Sequence, residues 1–235
     1  GAFGGIVLGA LVRAIEACEP EPERRLRSIA AELVGPVVVG TADIEVVELR
    51  RGHGVSTFEA LLRQAGEVLA RATVVLGKRR DIDREWSPTD REPLTPWSDV
   101  PAVPVGLPFV PEFSQHFEYR VTGPMPFAGG SEPVAAGWIR ARAPGPTIAA
   151  AELVALADAW WPAAFSIEAS KRPIATVAFT LQSLLGDREL PGDRPLHHRA
   201  RAVVSHDGFF VEHRELWTEA GELVALNQQT FVWIR

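Results

Sequence analysis

Cysteine is almost absent. Cys18 stands alone among 235 residues, so no intrachain disulfide can form and no cysteine-built zinc site can be assembled. A reducing, cytoplasmic setting is the expectation. No segment reaches the ~18 uninterrupted apolar residues of a membrane span, which argues against a membrane-spanning chain. Positive charge is scarce as well, with 24 Lys and Arg against 30 Asp and Glu for a formal net charge of -6. A phosphate backbone is bound by clustered cations, so nucleic acid is not an expected partner. Methionine occurs once, at Met125, and the sequence opens on Gly1. The natural amino terminus is therefore expected to lie upstream, and a targeting segment there stays open.

What is present suits an ordinary globular protein: 46% of residues are apolar and 23% charged. The length leans towards two units of roughly 100 residues each. Gly5 to Cys18 is nearly all apolar and long enough for a buried helix, with Gly5 and Gly9 on one face where a neighbour, expected to be a sheet, can approach closely. Extended segments follow at about Arg27–Val39, Thr41–Arg50 and Val55–Lys78, the last broken at Ala65-Gly66 into a hairpin. From Asp81 to Pro146 the texture changes, because 12 of the 19 prolines fall there. The first part of that stretch reads as a wrapped connection, and His116–Val121 and Ala135–Arg142 as short strands. A second apolar helix over Ile148–Trp161 leads to strands at Ile174–Leu185, His197–His206 and Phe209–Ile234, the last turning at Ala220-Gly221.

The two halves thus share an order of helix and antiparallel strands. Their last hairpins also align, LLRQAGEVLA (Leu61–Ala70) on LWTEAGELVA (Leu216–Ala225). The expected organisation is a duplicated α+β unit, with a first repeat over 1–110, incomplete at its start and running into the proline-rich linker from about 79, and a second repeat over 111–235.

Three residues could carry chemistry. Asp158, in ALADAWWP, has no charge nearer along the chain than Glu152 and sits where Pro162 must end or kink the helix. A carboxylate among tryptophans at the negative end of a helix gains proton affinity, as a general base requires; the alternative is an Asp reaching solvent. Alternation along ELVALNQQTFVWIR puts Gln229 on the buried face with Leu223, Ala225, Phe231 and Trp233, where its amide needs partners from structure or ligand. Thr176, in PIATVAFTLQ, falls on the strand face opposite Val177 and Phe179, lining a cleft or simply at ease as a β-branched residue.

The runs LADAWWP, PIATVAFTLQ and VALNQQTFVWIR, with the opening GAFGGIVLGALVRA, resemble the double-hotdog acyl-CoA thioesterases of the thioesterase II type. The resemblance covers nearly the whole chain and implies an α+β double hotdog, two curved antiparallel sheets each wrapped around a helix. It implies hydrolysis of a fatty acyl-CoA thioester without a cofactor, in fatty acid metabolism. By the same resemblance Asp158 is expected to orient and deprotonate a water that Thr176 and Gln229 fix by hydrogen bonds, with backbone N–H groups or the Gln229 amide stabilising the oxyanion. An acyl-CoA substrate and a possible homodimer follow from the same resemblance. The strand after Thr176 lacks the histidine-bearing segment of better-known members. In the first half no carboxylate falls in the helix before Glu16, and Val74 stands where a partner of Gln229 would be, so one catalytic centre is expected. A hotdog hydratase or dehydratase and a non-catalytic acyl-binding protein are the alternatives.

Other patterns carry less. Ser205, His206 and Asp207 are consecutive and cannot converge as a triad on a strand, and His197 with His198 fails as a metal pair for the same reason. Lys78, Arg79 and Arg80 read as a solvated strand end or a contact for coenzyme A phosphates.

Overall fold

A computed structural model describes residues 1–87, 94–106 and 110–234. Parts of the proline-rich linker, at 88–93 and 107–109, lie outside the described residues. Helix α1 (Gly4–Cys18) precedes strands β1 (Arg25–Leu33), β2 (Asp43–Arg51), β3 (Val55–Gln64) and β4 (Glu67–Gly77). The connection then leads to β5 (Phe117–Val121) and β6 (Val134–Ala141). Helix α2 (Ala150–Asp158) is followed by β7 (Ile174–Ser183), β8 (Leu196–His206), β9 (Phe209–Trp217) and β10 (Leu223–Trp233).

The ten strands form one continuous antiparallel sheet, not the two sheets expected, in the order β2-β3-β4-β1-β7-β10-β9-β8-β6-β5, because β1 of the first half pairs directly with β7 of the second. The wiring β2-β3-β4-β1 recurs, mirrored, as β7-β10-β9-β8. The two sets meet where β1 pairs with β7, with Ala30 opposite Thr180 at the middle of the seam. The second set carries the additional pair β5 and β6, which has no counterpart beside β2. The β3–β4 hairpin turns on Ala65 (φ 51°) and Gly66 (φ 85°), and β8–β9 on Asp207 (φ 52°) and Gly208 (φ 82°). Two successive left-handed residues match the twist of the flanking strands, which is why small residues and Gly stand there.

The alternating strand pattern buries one face of this sheet, and both helices lie against that face. Leu8, Leu11, Val12 and Ile15 of α1 are wholly buried, as are Leu153, Val154 and Ala157 of α2. Each buried aliphatic side chain contributes about 1.5–3 kcal/mol. A further expectation needs correcting: the glycine face of α1 meets α2, not the sheet. A Cβ on Gly5 would lie 2.9 Å from the Ala155 Cα, and one on Gly9 would lie 3.1 Å from the Ala151 carbonyl oxygen. The helices cross antiparallel at backbone distance, and only glycine allows it. The second helix is also shorter than expected, because Pro162 cannot donate to the Asp158 carbonyl and the chain turns instead into a 3-10 segment over Ala163–Ser166. Part of the connection is pinned to the sheet: Arg120 and Arg140 stack over Trp97, at 4.1 and 4.8 Å, and the Trp138 indole donates to the Thr95 carbonyl at 2.8 Å.

Candidate active site

Asp158 is the last residue of α2 and faces the first turn of α1. The Gly5 backbone N–H and the Gln229 side chain neighbour its carboxylate, and both favour its ionised form. A Cβ on Gly4 would come within 2.9 Å of its Oδ2, so the helix start closes directly over the acid. The positive end of the α1 dipole favours a negative charge there. Burial nevertheless dominates and pushes the Asp158 carboxyl above its ordinary range, against the pull of Arg214, the Gly5 N–H and Gln229.

Gln229 is buried, on the inner face of β10 as its alternation requires, while Gln228 is exposed on the other. The Thr176 hydroxyl donates to Gln229 Oε1 at 3.4 Å, and Gln229 Nε2 donates to Asn227 Oδ1 at 3.0 Å. All three expected residues are therefore brought together. For Thr176 the expected face was wrong, and a β-bulge is the reason. Along the β7–β10 ladder Thr230 pairs with Ala178 but Phe231 with Thr176, leaving Val177 as an extra residue. The bulge shifts the alternation by one and turns Thr176 to the side of Phe179 and Gln229. The same bulge recurs in the first half, where Leu26 pairs with Leu76, Ser28 with Val75, and Arg27 is extra. Thr176 and Gln229 thus correspond to Leu26 and Val74, both buried.

Several neighbours escaped the reading of the sequence. Arg214 and Glu212, two apart on the inner face of β9, form a buried ion pair at 2.8 Å. Arg214 also donates to the Ala157 carbonyl at 2.9 Å, and Glu212 accepts the Ala163 N–H at 2.7 Å. The pair clamps the chain on both sides of Asp158. Tyr119 donates to the Ala159 carbonyl at 2.9 Å, satisfying another orphan acceptor of the helix end. Opposite charges two residues apart within FFVEHRELW were the available signal, since both must share the face of Phe210 and Leu216. His198 is buried and stacked on Trp160, centroids 5.1 Å apart, with no hydrogen-bond partner for either ring nitrogen among the described residues. Burial holds its pKa well below the ordinary histidine value.

The remaining candidates lie elsewhere. Ser205, His206 and Asp207 are exposed at the β8–β9 turn, with only the His206–Asp207 pair in contact at 2.9 Å. His197 faces Thr122, 3.1 Å away, and packs edge-on against Trp138. Lys78, Arg79 and Arg80 line an open cleft of about 670 Å³ with Arg50 and His53. It lies at the Gly77 end of β4, opposite Arg25 of β1, whereas Asp158 borders the other end of β1 at Leu33. Lys78 is ion-paired there with Glu21.

A continuous antiparallel sheet with its helices against one face is shared with hotdog-fold proteins of known structure. A conserved protein of unknown function with a hotdog fold from Alicyclobacillus acidocaldarius superposes with a TM-score of 0.88 at 26% identity, over 100% of this chain and 88% of that one. A putative thioesterase II from Thermobifida fusca gives 0.78 at 24% identity, covering 99% and 86%. The acyl-CoA thioesterase II TesB2 from Mycobacterium marinum gives 0.76 at 18% identity, covering 99% and 89%. In sequence, residues 1–77 match the acyl-CoA thioesterase N-terminal domain and residues 88–233 the acyl-CoA thioesterase C-terminal domain. The chain belongs to this acyl-CoA thioesterase family. None of the curated proteins compared with it matches significantly.

Proposed function

We propose that the chain is an acyl-CoA thioesterase built as a double hotdog, with repeats over 1–110 and 111–235 and one catalytic centre in the second. The observation that carries this is the meeting of Asp158, Gln229 and Thr176 at the first turn of α1. A water held between them loses a proton to Asp158 as its oxygen bonds to the acyl carbon. The carbonyl electrons move onto oxygen, their return breaks the C–S bond, and the proton held by Asp158 passes to the departing sulfur, which releases coenzyme A thiol and a carboxylic acid and restores the carboxylate. The raised proton affinity of Asp158 suits a base working near neutral pH.

A hydratase would be expected to pair its acid with a histidine. The groups that favour the ionised form of Asp158 are Arg214, the Gly5 N–H and Gln229, and the buried His198 is stacked on Trp160 instead. Family membership and this polar set support hydrolysis. Turnover of an acyl-CoA chain-length panel by wild type, Asp158→Asn and Gln229→Ala tests it. Hydrolysis by wild type and its loss in both variants is expected. Turnover indifferent to both substitutions would remove the mechanism, and no turnover on any thioester would favour an acyl-binding role.

A further inference from the structure

The side-chain amide of Gln229 has two orientations of nearly equal shape, and its partners decide which is occupied. The deciding group is two residues away. Asn227 is buried on the same face of β10, and its Nδ2 donates to the Thr180 carbonyl at 2.6 Å. A backbone carbonyl only accepts, so Nδ2 must face it and Oδ1 must face Gln229. That oxygen in turn demands the Gln229 Nε2, which it receives at 3.0 Å. The second Nε2 hydrogen is left to face Asp158, whose ionised form Gln229 favours, and Oε1 is left to accept the Thr176 hydroxyl at 3.4 Å. Reversing Gln229 would set its oxygen against both Asn227 Oδ1 and the Asp158 carboxylate. One acceptor in the β7 backbone thus dictates the polarity of the whole chain of hydrogen bonds.

We propose that Asn227 is a positioning residue that locks Gln229, so that the site offers the attacking water acceptors only. The proposal rests on the hydrolytic function assigned to the same site. With both Gln229 N–H groups and the Thr176 hydroxyl hydrogen committed, the free capacity is the Asp158 carboxylate and the remaining lone pairs of Thr176 Oγ1 and Gln229 Oε1. Water must donate both hydrogens to this set, which turns an oxygen lone pair outward to the acyl carbon. The hydrogen bonded to Asp158 is the one transferred as the C–O bond forms. No Gln229 N–H is left for the oxyanion, so its donors are backbone N–H groups, and the amide is excluded from that role.

The test combines kinetics with an observation independent of turnover. Steady-state hydrolysis of acyl-CoA by Asn227→Leu is expected to show kcat lowered on the order of 10²-fold, as for a catalytic group misplaced by about an ångström, with KM within about twofold. In ¹⁵N-labelled protein the Gln229 side-chain amide, assigned by its loss in Gln229→Ala, is expected to exchange slowly in wild type and rapidly in Asn227→Leu. Asn227→Ala also removes the Oδ1 acceptor, with a smaller change of side chain, and it serves the same purpose if the leucine variant does not fold. Unchanged kcat, or a Gln229 amide still protected in a folded variant, would overturn the lock. If wild type hydrolyses no thioester, the catalytic assignment fails alone, and amide exchange still decides whether Asn227 holds Gln229.

Discussion

Gly5 and Asp158 meet where the two helices cross: the Gly5 N–H in the first turn of α1 favours the ionised form of the last side chain of α2. The acid is therefore positioned by the packing distance between helices as much as by its own strand partners. Gly5→Ala puts a methyl group 2.9 Å from the Ala155 Cα and against the Phe3 ring. The helices must part, at a cost of about 1–3 kcal/mol. Thermal unfolding should fall by several degrees, and hydrolysis should fall further than in an exposed control such as Ile6→Ala.

Asp158→Asn should separate stability from activity. Burial raises the carboxyl's pKa, so the native state holds the proton more firmly than the unfolded chain. The stability this gives is present below the unfolded value of about 3.9 and is lost as pH rises through the raised native value. At neutral pH the neutral amide should leave the melting temperature unchanged or higher. Hydrolysis should fall at least ~10²-fold with loss of the base. In wild type, kcat/KM should decline with acid from a higher pH than an ordinary aspartate would give.

The Glu212–Arg214 pair should behave as a buried unit. Removing either partner alone strands a charge and is expected to cost about 3–5 kcal/mol. Glu212→Leu combined with Arg214→Met should recover much of that loss. Denaturant unfolding of the two single variants and the double variant gives the coupling directly, and additive losses would show that the two side chains act separately.

His198 predicts a pH dependence of the opposite sign to Asp158. Its native imidazole stays neutral where the unfolded one binds a proton, so stability should fall as pH drops from about 6.5 towards the lowered native value, by up to ~1.4 kcal/mol per pH unit. His198→Phe keeps a ring against Trp160 and removes the titration. The difference in melting temperature between wild type and variant should therefore change between pH 7 and 5, at roughly 2–4 °C per kcal/mol for a chain of this size.

The α+β class, the order of helix and strands along each half and the three residues that the structure brings together were legible in the sequence. Buried alternation is strong in β10 and in the apolar helices, and Pro162 marks the end of α2. Contacts between elements were not legible. The glycine face of α1 announces a close neighbour without saying whether that neighbour is helix or sheet. Thr176 was assigned to the wrong face because periodicity assumes an unbroken ladder, and nothing in IATVAF marks Val177 as the extra residue. Asn227, Glu212 and Arg214 each have a side-chain partner two residues away in an alternating strand, but the backbone groups they also hold, at Thr180, Ala163 and Ala157, are distant along the chain, and no local pattern specifies them.

The bulge at Val177 and its twin at Arg27 show that the path of the backbone is common to both halves even where the chemistry is not. A strand that turns Leu26 inward towards Val74 already provides the stage on which Thr176 and Gln229 act. The difference between the proposed centre and its counterpart in the first half is carried by side chains on nearly the same scaffold. Leu26→Thr with Val74→Gln would write two of the three polar residues into a frame that needs no rebuilding. Conversely, deleting Val177 would leave every site residue in the sequence yet point Thr176 away from its partners.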